Sequence, residues 1–189
     1  MANRNPHYLV CGIGINDADY EITKHSLVNG KRKITWKCPF YQKWHNMLSR
    51  CTNGERKSYT TVNVCEEWLK FSNFKCWMET QEWEGRELDK DILSGLEYSP
   101  DTCLFISPEL NRLMVRSCSL NKNVYLVKKT GRWRARVGHT HVGMFDTIEQ
   151  AREAAINSKI DKILRTPDSE EVKNLAKRRI SQIEQQVST

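Results

Sequence analysis

The sequence predicts an α+β protein: a mainly helical N-terminal and central region, then a three-stranded antiparallel sheet packed on a helix, and a last helix. Three observations predict it. Between Trp36 and Met114 the chain is dense in aromatic residues at helical spacing, Gly131 to Gly138 alternates with period two, and two stretches after Thr147 carry apolar stripes of helical period. The expected segments are 1–119, 120–166 and 167–189. With 39% hydrophobic and 28% charged residues the 189-residue chain can bury a core, as one large domain or two small ones. No run reaches the roughly 18 apolar residues of a membrane span, and Met1 to Pro6 lacks the apolar core of a signal peptide, so the expected location is the cytoplasm. The seven cysteines are unevenly spaced without a Cys-x-x-Cys, which predicts reduced, mostly buried thiols rather than disulfides or zinc ligands.

Taken in order, Gly12-Ile-Gly-Ile15 has neither a third glycine nor a Gly-Lys-Ser/Thr, so it is not a phosphate loop. Pro39 to Arg50 predicts a helix with Trp44, Met47 and Leu48 on one side. Cys65 to Glu79 predicts a second amphipathic segment with Trp68, Leu69, Phe71, Phe74 and Met78, and most of the tryptophans should be core. Lys37, Lys43, Arg50, Arg56 and Lys57 are either phosphate contacts or ordinary surface charge. Leu88-Asp-Lys-Asp-Ile-Leu93 reads as an extended segment in which Asp89 and Asp91 point the same way. Two carboxylates on one side can hold a divalent cation such as magnesium, although an isolated Asp-x-Asp is more often structural.

The charge is concentrated late in the chain. The first 119 residues hold 16 basic and 15 acidic residues, the remainder 14 and 8. Asn121 to Phe145 carries Lys122, Lys128, Lys129, Arg132, Arg134, Arg136, His139 and His141 with no acidic residue, a pattern that repels itself unless a polyanion lies beside it. Alternation puts Arg132, Arg134 and Arg136 on one face of a strand and Trp133, Ala135 and Val137 on the other. Val124 to Lys129 and His141 to Phe145 flank it as strands, with turns at Thr130-Gly131 and Gly138. Thr147 then caps a helix, with Gln150 as its capping-box partner. The apolar stripe Ile148, Ala151, Ala155, Ile156, Ile160, Ile163 and Leu164 would cover the Trp133 face and leave the arginines outward. After Thr166-Pro167, Asp168 to Val187 forms a polar helix with acids early and Lys177, Arg178 and Arg179 later. Its stripe of Val172, Leu175, Ala176, Ile180, Ile183 and Val187 would pack on the domain or on a second copy, giving a homodimer.

Gly131-Arg-Trp-Arg-Ala-Arg136, Val142-Gly-Met-Phe-Asp-Thr147 and the Ala151, Ala154, Ala155 spacing resemble the AP2-type DNA-binding domain over about Asn123 to Leu164. The resemblance implies a sheet lying in the DNA major groove, with Lys128 and its neighbour Lys129, Arg132, Arg134, Arg136, His139 and His141 as contacts to double-stranded DNA. Over most of the chain, the order of elements resembles phage HNH homing endonucleases that carry a C-terminal AP2 domain. That likeness rests on Cys38-Pro-Phe-Tyr41, Met47-Leu-Ser-Arg-Cys51, Val64-Cys-Glu-Glu-Trp68, Phe71-Ser-Asn-Phe74, Leu88-Asp-Lys-Asp-Ile-Leu93, Tyr98-Ser-Pro-Asp-Thr-Cys103 and Asn111. It implies Asp89 as a metal ligand, with Lys90 at the general-base position and Thr102 at the later ligand position. A lysine near its normal pKa is protonated and cannot take a proton from water, and Thr is a poor metal ligand. Asp89, Lys90 and Asp91 are therefore vestigial catalytic candidates, with Asp89 and Asp91 as magnesium ligands only if cleavage is retained. The expected function is sequence-specific binding of duplex DNA by a domesticated, homing-endonuclease-like protein, acting as a transcriptional repressor in a bacterial host with no cofactor. The alternatives are an active magnesium-dependent HNH nickase or endonuclease, and an RNA-binding or assembly protein.

Overall fold

A computed structural model describes residues 9–52, 62–93, 95–115 and 123–187. Arg56, Lys57 and Lys122 lie outside them. The chain divides into two compact units, one formed by 1–83 with 95–104 and the other by 84–94 with 105–189. The architecture is mixed, with five α-helices and several small sheets among the described residues.

The first unit is less helical than its aromatic content suggests. Strands β1 (Thr23–Val28) and β2 (Lys31–Lys37) form an antiparallel hairpin. Asn29 and Gly30 make its two-residue turn with φ of 52° and 71°, the left-handed pair that matches the twist of the flanking strands. Helix α1 (Pro39–Thr52) follows, burying Trp44, Met47 and Leu48 as its spacing requires. The short strand β3 (Asn63–Val64) lies parallel to a later strand of the same unit.

The segment expected as one amphipathic stretch over 65–79 is two pieces, a 3-10 turn at Glu66–Leu69 and helix α2 (Phe71–Glu79). The break falls at Lys70 because Ile15 pairs with the backbone there: its N–H donates to Leu69 O at 2.7 Å and its carbonyl accepts from Phe71 N–H at 3.0 Å. Gly12-Ile-Gly-Ile15 is thus a packing element. A Cβ at Gly14 would meet Leu48 and come within 2.8 Å of the Trp44 ring. The carboxylate of Asp17 accepts from the N–H and hydroxyl of Ser72 at 2.9 and 2.6 Å and closes the start of α2. Burial pushes this carboxyl up, but the two Ser72 hydrogen bonds outweigh it and hold it below the usual range.

Trp44, Trp68, Phe71, Phe74 and Met78 make the centre of this unit, with Trp44 Nε1 donating to Trp68 O at 2.7 Å. The expectation that most tryptophans are core is corrected: Trp44 and Trp68 are buried, Trp77 and Trp83 half-buried, and Trp36 is exposed on the hairpin. Of the six described cysteines, all free, only Cys38 and Cys103 are buried.

In the second unit, β4 (Glu87–Asp89) pairs with a later strand; β5 (Glu97–Tyr98), the partner of β3, belongs to the first unit. That later strand is β6 (Leu104–Ile106), followed by α3 (Pro108–Val115). The antiparallel sheet of β7 (Val124–Val127), β8 (Arg132–Val137) and β9 (Thr140–Phe145) comes next, then α4 (Ile148–Leu164) and α5 (Glu170–Val187). Asp168, whose side chain is fully buried, ties three parts of the unit together. It accepts from Ser107 N–H and Oγ at 2.8 and 2.6 Å and from Arg86 at 2.9 Å. Ser107 Oγ in turn accepts from Leu110 N–H and caps α3.

In the apolar stripe of α5, Ala176 and Ile180 are completely buried within the unit, where α5 contacts α4, and Val172, Leu175 and Ile183 are half-buried. Lys177, Arg178 and Arg179 fall in the middle of this helix rather than in its last turn. On α4 the predicted stripe holds at Ala151, Ala155, Ile156 and Ile163. Leu164 is instead 44% exposed, and the buried row includes Lys159.

Candidate nucleic-acid interface

Alternation along β8 divides its side chains as the sequence requires. Ala135 and Val137 join Val124, Ala151 and Ala155 in a core against α4, with Trp133, Val142, Phe145 and Ile148 packed around it. Small residues make the close approach possible, since Ala135 stands opposite Gly143 in the register and faces the alanines of α4. A Cβ at Gly143 would come within 2.8 Å of the Phe145 ring. The N-terminus of α4 is fixed by Thr147, whose side chain accepts from Gln150 N–H at 3.3 Å. At the opposite end of the helix, Lys162 Nζ donates to Val137 O at 2.9 Å and to Thr140 Oγ1 at 2.7 Å, tying α4 to the β8–β9 turn.

The other face of the sheet carries Arg132, Arg134 and Arg136. The register sets Tyr125, Arg134 and Met144 side by side across the three strands, and Arg136 beside His141. Arg134 donates to the Tyr125 hydroxyl at 3.4 Å and lies over its ring, 5.9 Å from the centroid. This hydrogen bond, with a further one from Arg136, holds the Tyr125 phenol below its ordinary range. Tyr125 and Met144 are absent from the sequence-predicted contacts. The signal for Tyr125 was its place in β7, which antiparallel pairing with β8 sets across from an arginine.

The predicted contacts do not form one cluster. Arg134, Arg136 and His141 share the open face with Arg132. Arg132 is already engaged, its Nε 2.8 Å from Asp146 and its terminal nitrogen 3.0 Å from Met144 O. Lys128 and Lys129 are exposed in the β7–β8 turn, at one end of the sheet. His139 is in the β8–β9 turn at the other end, where it lines a cavity of about 700 Å³ with Lys159, Lys162 and Arg165.

The Asp89 region departs from the expected extended segment. β4 ends at Asp89 and the chain turns over 91–93, so the two carboxylates meet different surroundings. Asp89 is 5% exposed and accepts from Ile92 N–H at 2.9 Å. Burial pushes its carboxyl up to about 6 against the pull of that hydrogen bond. Asp91 has a half-exposed side chain, and its carboxylate takes the Lys90 ammonium at 2.5 Å.

Thr102, in the other unit, spends its hydroxyl on Glu97 O at 2.5 Å and on Ser99. Asn111 donates to the Glu87 carboxylate. Among the described residues no group of three or more His, Cys, Asp or Glu is assembled for a metal. A magnesium ion needs carboxylates free to turn toward it, and Asp89, capping a turn, and Asp91, paired with Lys90, do not fit one. Compared with family models, curated proteins and solved structures, the chain matches none.

Proposed function

We propose that the chain binds double-stranded DNA at a specific site through the open face of β7–β9 and does so without cutting it, so that a site overlapping a promoter is repressed. The observation that carries the reading is the two-sidedness of the sheet. Helix α4 closes one face with its alanines against Trp133, Ala135 and Val137 of β8, and the other presents Arg134, Arg136 and His141 around an exposed tyrosine. A ladder of cations on an open sheet face is what phosphate neutralisation requires, and arginine is the side chain that reads guanine bidentately in the major groove. The absence of any acidic residue from 121 to 145 supports the same reading. Binding through this face requires no second copy of the chain, and a homodimer through α5 remains part of the proposal, since Val172, Leu175 and Ile183 on its stripe are only half-buried. It places the protein at DNA in a bacterial cytoplasm. No described helix is long and apolar enough to cross a membrane.

The test is recovery of bound fragments from a genomic library with and without magnesium, followed by titration of the enriched site. Arg134→Ala is expected to weaken that site by about 1–3 kcal/mol while weakening random duplex less. Equal loss on both would refute base reading by Arg134. New fragment ends appearing at the site only with magnesium would refute binding without cleavage.

A further inference from the structure

We infer that the β1–β2 hairpin is a second duplex-binding element, a two-stranded ribbon that enters a DNA groove independently of the β7–β9 sheet. Every residue of β2, and all of β1 after Thr23, is exposed, so among the described residues nothing buries either face of the ribbon. Leu27 is 77%, Ile34 50% and Trp36 41% exposed. A lone two-stranded hairpin is marginally stable in water, so large apolar side chains left open on it point to something that covers them.

Charge identifies the occupant. From Thr23 to Lys37 there are five cations, Lys24, Lys31, Arg32, Lys33 and Lys37, and no acidic residue. The register distributes them over both faces. Lys31 and Lys33 pair with Val28 and Ser26 on one side, and Arg32 pairs with Leu27 on the other, next to the His25–Ile34 pair. A membrane surface would engage one face of a ribbon, and an added peptide strand would engage an edge. Cations on both faces suit an element standing between two walls of phosphate. A two-stranded ribbon has the width that the major groove of duplex DNA admits, leaving Leu27 and Ile34 to meet thymine methyls and sugar. The tight Asn29-Gly30 turn keeps the tip narrow. Lys24 lies over the Trp36 ring, 5.5 Å from its centroid, which anchors the base of the ribbon.

The inference shares with the proposed function only its ligand class, and the test separates them. In the full-length chain, Lys31, Arg32 and Lys33 are replaced together by Gln, and Arg134→Ala is made separately. Binding to duplex DNA is then measured from low to high salt. The hairpin variant is expected to reduce the slope of log K against log salt by about 2–3, one counterion for each lost phosphate contact. In the parent chain, bound duplex is expected to protect Lys31 and Lys33 from acetylation, read by mass spectrometry, a measurement that does not depend on the variant folding. An unchanged slope, or Lys31 and Lys33 acetylated equally with and without bound duplex, would overturn the inference. Loss with the hairpin variant but none with Arg134→Ala would refute the sheet reading and leave the hairpin standing. A parent chain that binds no duplex refutes both.

Discussion

An Asp89→Asn variant should gain stability over the parent chain as pH rises from 4 to about 6 and hold that advantage to pH 7.5. Asp89 is buried at the end of β4, and its carboxyl is pushed up to about 6. In the unfolded chain an aspartate titrates near about 4. Between these values the folded protein holds a proton that the unfolded chain has released, so stability falls as pH rises through the window and stays lower above it. Two pH units at about 1.4 kcal/mol each set the size of the effect at roughly 3 kcal/mol. Asparagine keeps an oxygen for the Ile92 N–H but has no proton to lose, so its contribution is flat. Asp17, held low by Ser72, acts in the opposite sense and at lower pH, and it is common to both chains. Urea unfolding followed by tryptophan fluorescence at pH 4, 5, 6 and 7.5 gives the difference directly. A difference constant to within about 0.5 kcal/mol would show that Asp89 is not the buried acid described here. Selective stabilisation of the parent chain by millimolar magnesium above pH 6 would show that Asp89 is a metal ligand after all.

Asp168→Ala should destabilise the second unit by about 3–5 kcal/mol, because it leaves Arg86 and the Ser107 N–H and hydroxyl without their shared carboxylate; thermal unfolding measures it, and a loss below about 1 kcal/mol would refute the hub. Gly14→Ala should lose at least about 1–3 kcal/mol of stability by driving a methyl into Leu48 and the Trp44 ring. A neutral result in the same assay would show that the 10–15 turn can move away from α1.

The β7–β9 sheet and α4 were legible because each obeys one period over a long enough run. Arg132 to Val137 alternates without a break, and Thr147 stands where a cap must be. The hairpin carries an equally strong local signal, Asn29-Gly30 between two β-rich runs. It was hidden by the nearby aromatic residues, whose spacing suggests a helical region throughout. The break at Lys70 could not be read locally, because its cause is the backbone of Ile15, 55 residues earlier. Nor could the role of Asp168, which depends on Arg86 and Ser107 converging from distant parts of the chain. Asp89 and Asp91 part from the expected arrangement for a related reason. Two carboxylates one residue apart point the same way only while the strand continues, and β4 stops at the first of them.

The arginines that alternation groups together are not equivalent, and this divides the labour on the proposed interface. Arg132 is held at two points, by Asp146 and by Met144 O, so bringing it to a phosphate means giving up an ion pair already made. That pair is a surface one, with both partners substantially exposed, so giving it up costs only about 0–1 kcal/mol. Arg134 gives up long contacts to the Tyr125 phenol and to Met144 Sδ, each at 3.4 Å, and a ring contact, which together keep its guanidinium extended over the sheet. Tyr125 thus orients the cation without neutralising it, whereas Asp146 neutralises the cation it holds. On the proposed interface, sequence reading is therefore assigned to Arg134 and Arg136, while Arg132 also links β8 to β9 through Met144 O.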